Sequence, residues 1–233
     1  ADQFLVDLVK IPHFKYAVSI SLILLSLEDS LDELIGYFSL FNEFVEKICA
    51  DKNLRFFFKS IGHLVVFLGA KSVHGFALDQ VLHLGKINSF HNKQYSALHC
   101  VWDCLPPNFD LPSLQRLEDL TEADYAEMVL RTIEVEKSVS ELENCKLKNM
   151  DFYANINTKV KTLLNNTQAK IHSLGQLLKD EVHAKQLRTY FAENDKKPVS
   201  DILTTLAIIR NEWAKRQRCA PSSASKSIAC LSP

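Results

Sequence analysis

The chain has 233 residues, 47% hydrophobic and 24% charged, which excludes global disorder and is enough to bury a sizeable core. Its 27 basic and 28 acidic side chains leave a formal net charge of −1, so no overall field draws it to nucleic acid or an anionic membrane. Six glycines and seven prolines against fourteen phenylalanines argue for long helices with few loops, and against a sandwich or barrel.

The opening Ala1-Asp2-Gln3-Phe4 carries no basic leader and reads as a domain excised from a longer intracellular protein. Phe4, Leu5 and Leu8 share a helical face up to Ile11-Pro12, where the residue before proline is biased out of the helix. Val18 to Leu27 is the longest apolar stretch. At about ten residues it is half of what a bilayer span needs, and it reads as a core helix. Leu31, Leu34, Ile35, Phe38, Phe41, Val45 and Ile48 recur at steps of three and four, an amphipathic helix of about five turns. Leu54, Phe57, Phe58, Ile61, Leu64, Val65 and Leu68 continue in a helix apolar on most sides, hence expected to be buried. Gly69 and Gly75 bracket a polar turn. Phe76, Leu78, Val81, Leu82 and Leu84 start another helix, and Ser96 to Leu105 a further one, stopped by Pro106-Pro107.

The texture changes from about residue 111. Tyr125, Met128, Thr132, Val135, Val139 and Leu142 form an a/d seam among glutamates and lysines. Val160, Leu164, Thr167, Ile171, Leu174 and Leu178 repeat the spacing. Together they predict an antiparallel coiled-coil arm whose diluted seams also lean on other elements. Ser200 is read as the cap of a last helix with Ile202, Leu203, Leu206, Ile209 and Trp213 inward. The expected fold is all-α, one helical domain over 1–218. Its body covers 1–105 and 190–218, its arm 111–189, and a disordered tail follows over 219–233.

No nucleophile motif, phosphate loop or zincin signature occurs, and no enzyme activity is expected. His74, His83, His91, His99, Cys100 and Cys104 crowd into one stretch. A zinc site, and with it a metal-dependent enzyme, would need a second matched pair beside Cys100 and Cys104. The pair is ragged, so the cysteines read as small core residues, the histidines as loop groups, and no metal or other cofactor is expected. The six cysteines are spread as reduced thiols are, not as a disulfide framework. Lys86 and Lys93 mark a modestly basic loop, and Lys215-Arg216-Gln217-Arg218 a short basic run.

Four segments resemble the formin homology 2 domain. Phe4-Leu5 through Ile11-Pro12-His13-Phe14, followed by Leu22-Ile23-Leu24-Leu25, is similar to the family's opening. Asp51-Lys52-Asn53-Leu54 through Val66-Phe67-Leu68-Gly69 resembles the helix leading to its G-N-x-x-N signature. Gly75-Phe76-Ala77-Leu78, Val81-Leu82-His83-Leu84 and Leu98-His99 follow a third motif. Tyr190-Phe191-Ala192-Glu193-Asn194-Asp195-Lys196-Lys197, with Ile202, Leu206 and Arg210, resembles a fourth. The resemblance covers roughly residues 4 to 217 in order.

It implies knob, coiled-coil arm and post subdomains, and a ring dimer that nucleates and elongates actin filaments. It also implies departures. The N-terminal lasso and first knob helix would lie before Ala1. Ala70-Lys71-Ser72-Val73-His74 replaces the signature after Gly69. Asn88 stands at the place of an actin-contacting lysine, Lys93 matches a second one, and Ala17 stands where the family has arginine. Each lost charge-assisted contact costs roughly 1.5–3 kcal/mol. The resemblance therefore implies an interaction and homodimerisation module that has lost actin assembly. Its setting would be a larger nuclear protein such as a nematode formin-like zinc-finger transcription regulator. The alternative is an active actin nucleation or elongation factor of the cytoskeleton. Membrane contact, and nucleic-acid binding through this domain, are not expected.

Overall fold

The computed structural model describes residues 10–69, 77–91, 93, 95–106, 108–145, 147, 153–179 and 182–219. Phe4, Leu5, Leu8, His74, Gly75 and Phe76 lie outside them. Among the described residues the fold is all-helical, with no strand and one isolated antiparallel bridge, Asn88 to Ser96.

The first element, α1, runs unbroken over Phe14–Ala50. Pro12 and a left-handed His13 (φ 59°) set its start. Ala17, Ile20, Leu27, Leu31, Leu34, Phe38, Phe41, Val45 and Ile48 are buried along one stripe. The two apolar segments expected as separate helices are thus one. The Val18–Leu27 stretch is only half core: Val18, Leu22 and Leu25 are 40%, 62% and 78% exposed. Asp51 then closes α1 and caps α2 (Lys52–Phe67), its Oδ1 accepting the N–H groups of Asn53 (2.8 Å) and Leu54 (3.1 Å).

Burial on most sides of α2 does not hold. Leu54, Phe57 and Ile61 face inward, while Phe67 is 85% exposed and Phe56, Val66 and Leu68 are also at the surface. Among the described helices its main partner is α4, so one face is covered and the other is not. Short helices follow: α3 (Gln80–Leu84), α4 (Ala97–Asp103), a 3₁₀ turn at Pro112–Leu114, and α5 (Leu117–Thr121).

Helices α6 (Tyr125–Glu143) and α7 (Ala154–Lys179) carry the two seams. Met128, Thr132, Val135 and Leu142 are buried on α6, and Val160, Thr167 and Leu174 on α7. What covers them is largely α1, which packs on both more extensively than they pack on each other. Glu33 pairs with Arg131, and Tyr37 Oη donates to the Ala123 carbonyl, so α6 runs antiparallel to α1. Tyr153 Oη donates to the Pro12 carbonyl and Lys170 pairs with Glu28 and Asp32, so α7 runs parallel to α1. The seam threonines donate to carbonyls four residues back, Thr132 to Met128 and Thr167 to Leu163, which satisfies their buried hydroxyls.

Helix α8 (Val182–Tyr190) packs on α1 through Ala184 and Leu187. Helix α9 (Val199–Cys219) packs on α5, α6 and α8 through Val199, Ile202, Leu203, Leu206 and Ile209. It starts one residue before Ser200, directly after Pro198, and it includes Cys219, which was expected in the tail. Positions 220–233 lie outside the described residues.

Candidate functional site

The loop between α3 and α4 holds Asn88 and Lys93, two of the positions singled out by the family resemblance, together with Lys86. It is a closed loop, because Ser89 N–H donates to the Tyr95 carbonyl and Ala97 N–H to the Ile87 carbonyl, both at 2.8 Å. Lys86, Asn88 and Lys93 are exposed on it. Phe90 on the same loop is fully exposed at 103%, with half-exposed Ile87 nearby in the chain.

The loop is anchored through side chains on α4. Ser96 N–H donates to His99 Nδ1 at 3.0 Å, and the Ser96 hydroxyl sits 2.7 Å from the same nitrogen. A ring nitrogen that accepts a backbone N–H is unprotonated, which leaves the His99 proton on Nε2. The arrangement is a capping box with histidine in the usual glutamate position. The Tyr95 ring stacks on His99, and its hydroxyl donates to Asp103 Oδ2 at 2.6 Å. Burial and the adjacent Asp103 carboxylate push the Tyr95 phenol above its ordinary range. The other oxygen of Asp103 accepts from Arg216 on α9.

The loop, α3, α4 and α9 line a half-open cavity of about 610 Å³. Leu82, Leu98, Trp102 and Ile208 contribute its apolar lining, with Lys86, Lys215 and Arg216 as cations and Glu212 as the acid. Lys215 pairs with Glu212 at 2.8 Å, one turn away on its own helix. Below the cavity the aromatic core is continuous: Phe57 stacks on Trp102 at 4.4 Å, and Trp102 meets Trp213 at 4.9 Å.

The structure therefore joins two basic signals that are far apart in the sequence, Lys86 of the loop and Lys215-Arg216 of the last helix. Lys93 and Asn88 lie on the loop but outside the cavity lining. Asp103 and Glu212, which tie the two cations of α9 in place, carry no sequence signal of their own. The cysteine and histidine cluster is dispersed: His83 and His91 are exposed, His99 is held by Ser96, Cys100 is half-buried and Cys104 exposed. Among the described residues no three of His, Cys, Asp and Glu come together to hold a metal ion. No described helix is long and apolar enough to cross a membrane. No protein-family model matches the chain, and no curated protein matches it.

Proposed function

We propose that the chain is a non-enzymatic helical module that binds protein partners and self-associates, with the actin-assembly activity of the domain it resembles lost. The observation that carries this reading is the loop bearing Phe90. A large aromatic side chain stands in solvent on a loop closed by backbone hydrogen bonds, which also carries the exposed Lys86 and Lys93 and contributes Lys86 to the lining of a largely apolar cavity. Exposed apolar surface rimmed by polar groups is how partner sites present themselves. The subdomain reading, a knob and post joined by a coiled-coil arm, and a setting within a larger nuclear protein belong to the same proposal. Asn88 in place of the actin-contacting lysine supports loss of filament binding.

The second reading, an active actin nucleation or elongation factor, draws on Lys86 and Lys93, both exposed on that loop. One experiment separates the two: fluorescence actin assembly with micromolar protein, run beside light scattering for mass. The expected result is unchanged assembly and barbed-end growth, with a mass near twice 26.5 kDa. Faster nucleation or capping, abolished by Lys86→Ala with Lys93→Ala, would establish the second reading in its place.

A further inference from the structure

The first four turns of α1 carry an apolar stripe that the described structure leaves partly to mostly exposed. Val18, Leu22 and Leu25 follow one another at steps of four and three, the spacing of a helix-pairing seam, and all three are exposed. The stripe has charged ends. Lys15 lies seven residues before Leu22 and Asp29 seven residues after it. Seven residues are close to two full turns, so Lys15, Leu22 and Asp29 share one line on the helix surface. Both charged residues are exposed, and neither has an ion-pair partner among the described residues.

Read along that line, the face is cation, Val18, Leu22, Leu25, anion. This order is complementary to itself when reversed. An antiparallel copy crossing at Leu22 sets Leu22 on Leu22, Val18 near Leu25, and Lys15 of each chain against Asp29 of the other. A two-fold interface requires a single patch to be self-complementary in this way. Two of the neighbouring hydroxyls are satisfied within the helix: Ser21 Oγ donates to the Ala17 carbonyl and Ser26 Oγ to the Leu22 carbonyl. A groove of about 480 Å³ between α1 and α7, lined by Leu24, Leu25, Ile156 and Leu163 among others, adjoins the stripe. It widens the face toward the ~800 Å² per partner that a specific dimer buries.

We infer that this face of α1, centred on Leu22, pairs antiparallel with the same face of a second copy of the chain. The inference rests on the self-association proposed above and names the surface for it. The test is sedimentation equilibrium of the whole chain and four variants, with circular dichroism to verify that each remains helical. Leu22→Glu is expected to weaken the dimer by about thirtyfold or more, as loss of a central apolar anchor does. Lys15→Glu and Asp29→Lys are each expected to weaken it about threefold to tenfold, and the double variant K15E/D29K to restore it. Restoration in the double variant identifies the antiparallel pairing, because only opposed copies recreate both ion pairs. A dimeric parent whose constant none of the folded variants changes would overturn this surface and leave self-association standing. A monomeric parent at micromolar concentration would overturn both.

Discussion

At the C-terminus of α8 the chain turns through Ala192, whose φ of 53° lies in the left-handed region. The turn is well formed. Phe191 N–H donates to the Leu187 carbonyl, and Glu193 N–H reaches back to the Arg188 carbonyl. The position nevertheless suits glycine better, because an L residue there brings Cβ against the backbone. Glu193 beyond it accepts the Leu78 N–H at 2.8 Å, and Arg188 Nε donates to the Lys197 carbonyl, so the turn is held from two sides. Ala192→Gly is expected to raise stability by roughly 1 kcal/mol, seen as a higher urea midpoint with unchanged slope. A lower midpoint would mean that the left-handed turn is not what the native chain adopts.

At the scale of elements, charge fixes how α1 meets its two long neighbours. Arg131 on α6 gives both terminal nitrogens to the two carboxylate oxygens of Glu33, each at 2.5 Å. The hydrogen bond from Arg131 holds the Glu33 carboxyl below its ordinary value of 4.5. A carboxylate depressed on folding contributes stability that is present above the ordinary value and fades as pH falls through the folded value. Glu33 is half exposed, so solvent screening keeps the contribution under about 1 kcal/mol. Thermal melts from neutral pH to below 4.5 are expected to show a shallower acid loss in Arg131→Ala than in the parent. Equal slopes would show that this pair contributes nothing to the acid limb.

The sequence makes these elements legible to different degrees, for a physical reason. Periodicity reports which face of a helix is apolar, and it placed Met128, Thr132, Val135 and Leu142 on one seam and Val160, Thr167 and Leu174 on another. It cannot report what covers the face, so the greater part played by α1 became visible only with the packing. The same limit applies to Leu22 and Leu25, which read as core because they fall in the longest apolar stretch, Val18 to Leu27. In the candidate site, the basic character of Lys86 and of Lys215-Arg216 was readable. Their meeting at one cavity depends on Asp103 holding Arg216 across a separation of 113 positions in sequence, which no local pattern encodes.

At the scale of the whole molecule, the proposed reading divides labour between two surfaces. The loop around Phe90 faces one set of contacts, and the early turns of α1 carry the face for a second copy. The two surfaces share no residue: Trp102 lines the cavity by the loop, and nothing in that lining belongs to α1. Changes at one surface should therefore leave the other unaffected, as separated sites without shared partners generally add.

The unbroken length of α1 has a consequence for how the protein opens. At 37 residues it extends about 55 Å, and it packs on α5, α6, α7, α8 and the 3₁₀ turn. Neither seam helix can detach without baring a wall that other elements also use. Local opening should then be confined to the exposed first turns, with the rest released only in one global event. At a concentration low enough to keep the chain monomeric, amide hydrogen exchange is expected to show Leu31 to Ile48 exchanging at the same slow rate as the middle of α9, with Val18 to Leu25 much faster. Two distinct slow classes, one for α6 and α7 and another for α9, would show instead that the molecule melts in halves.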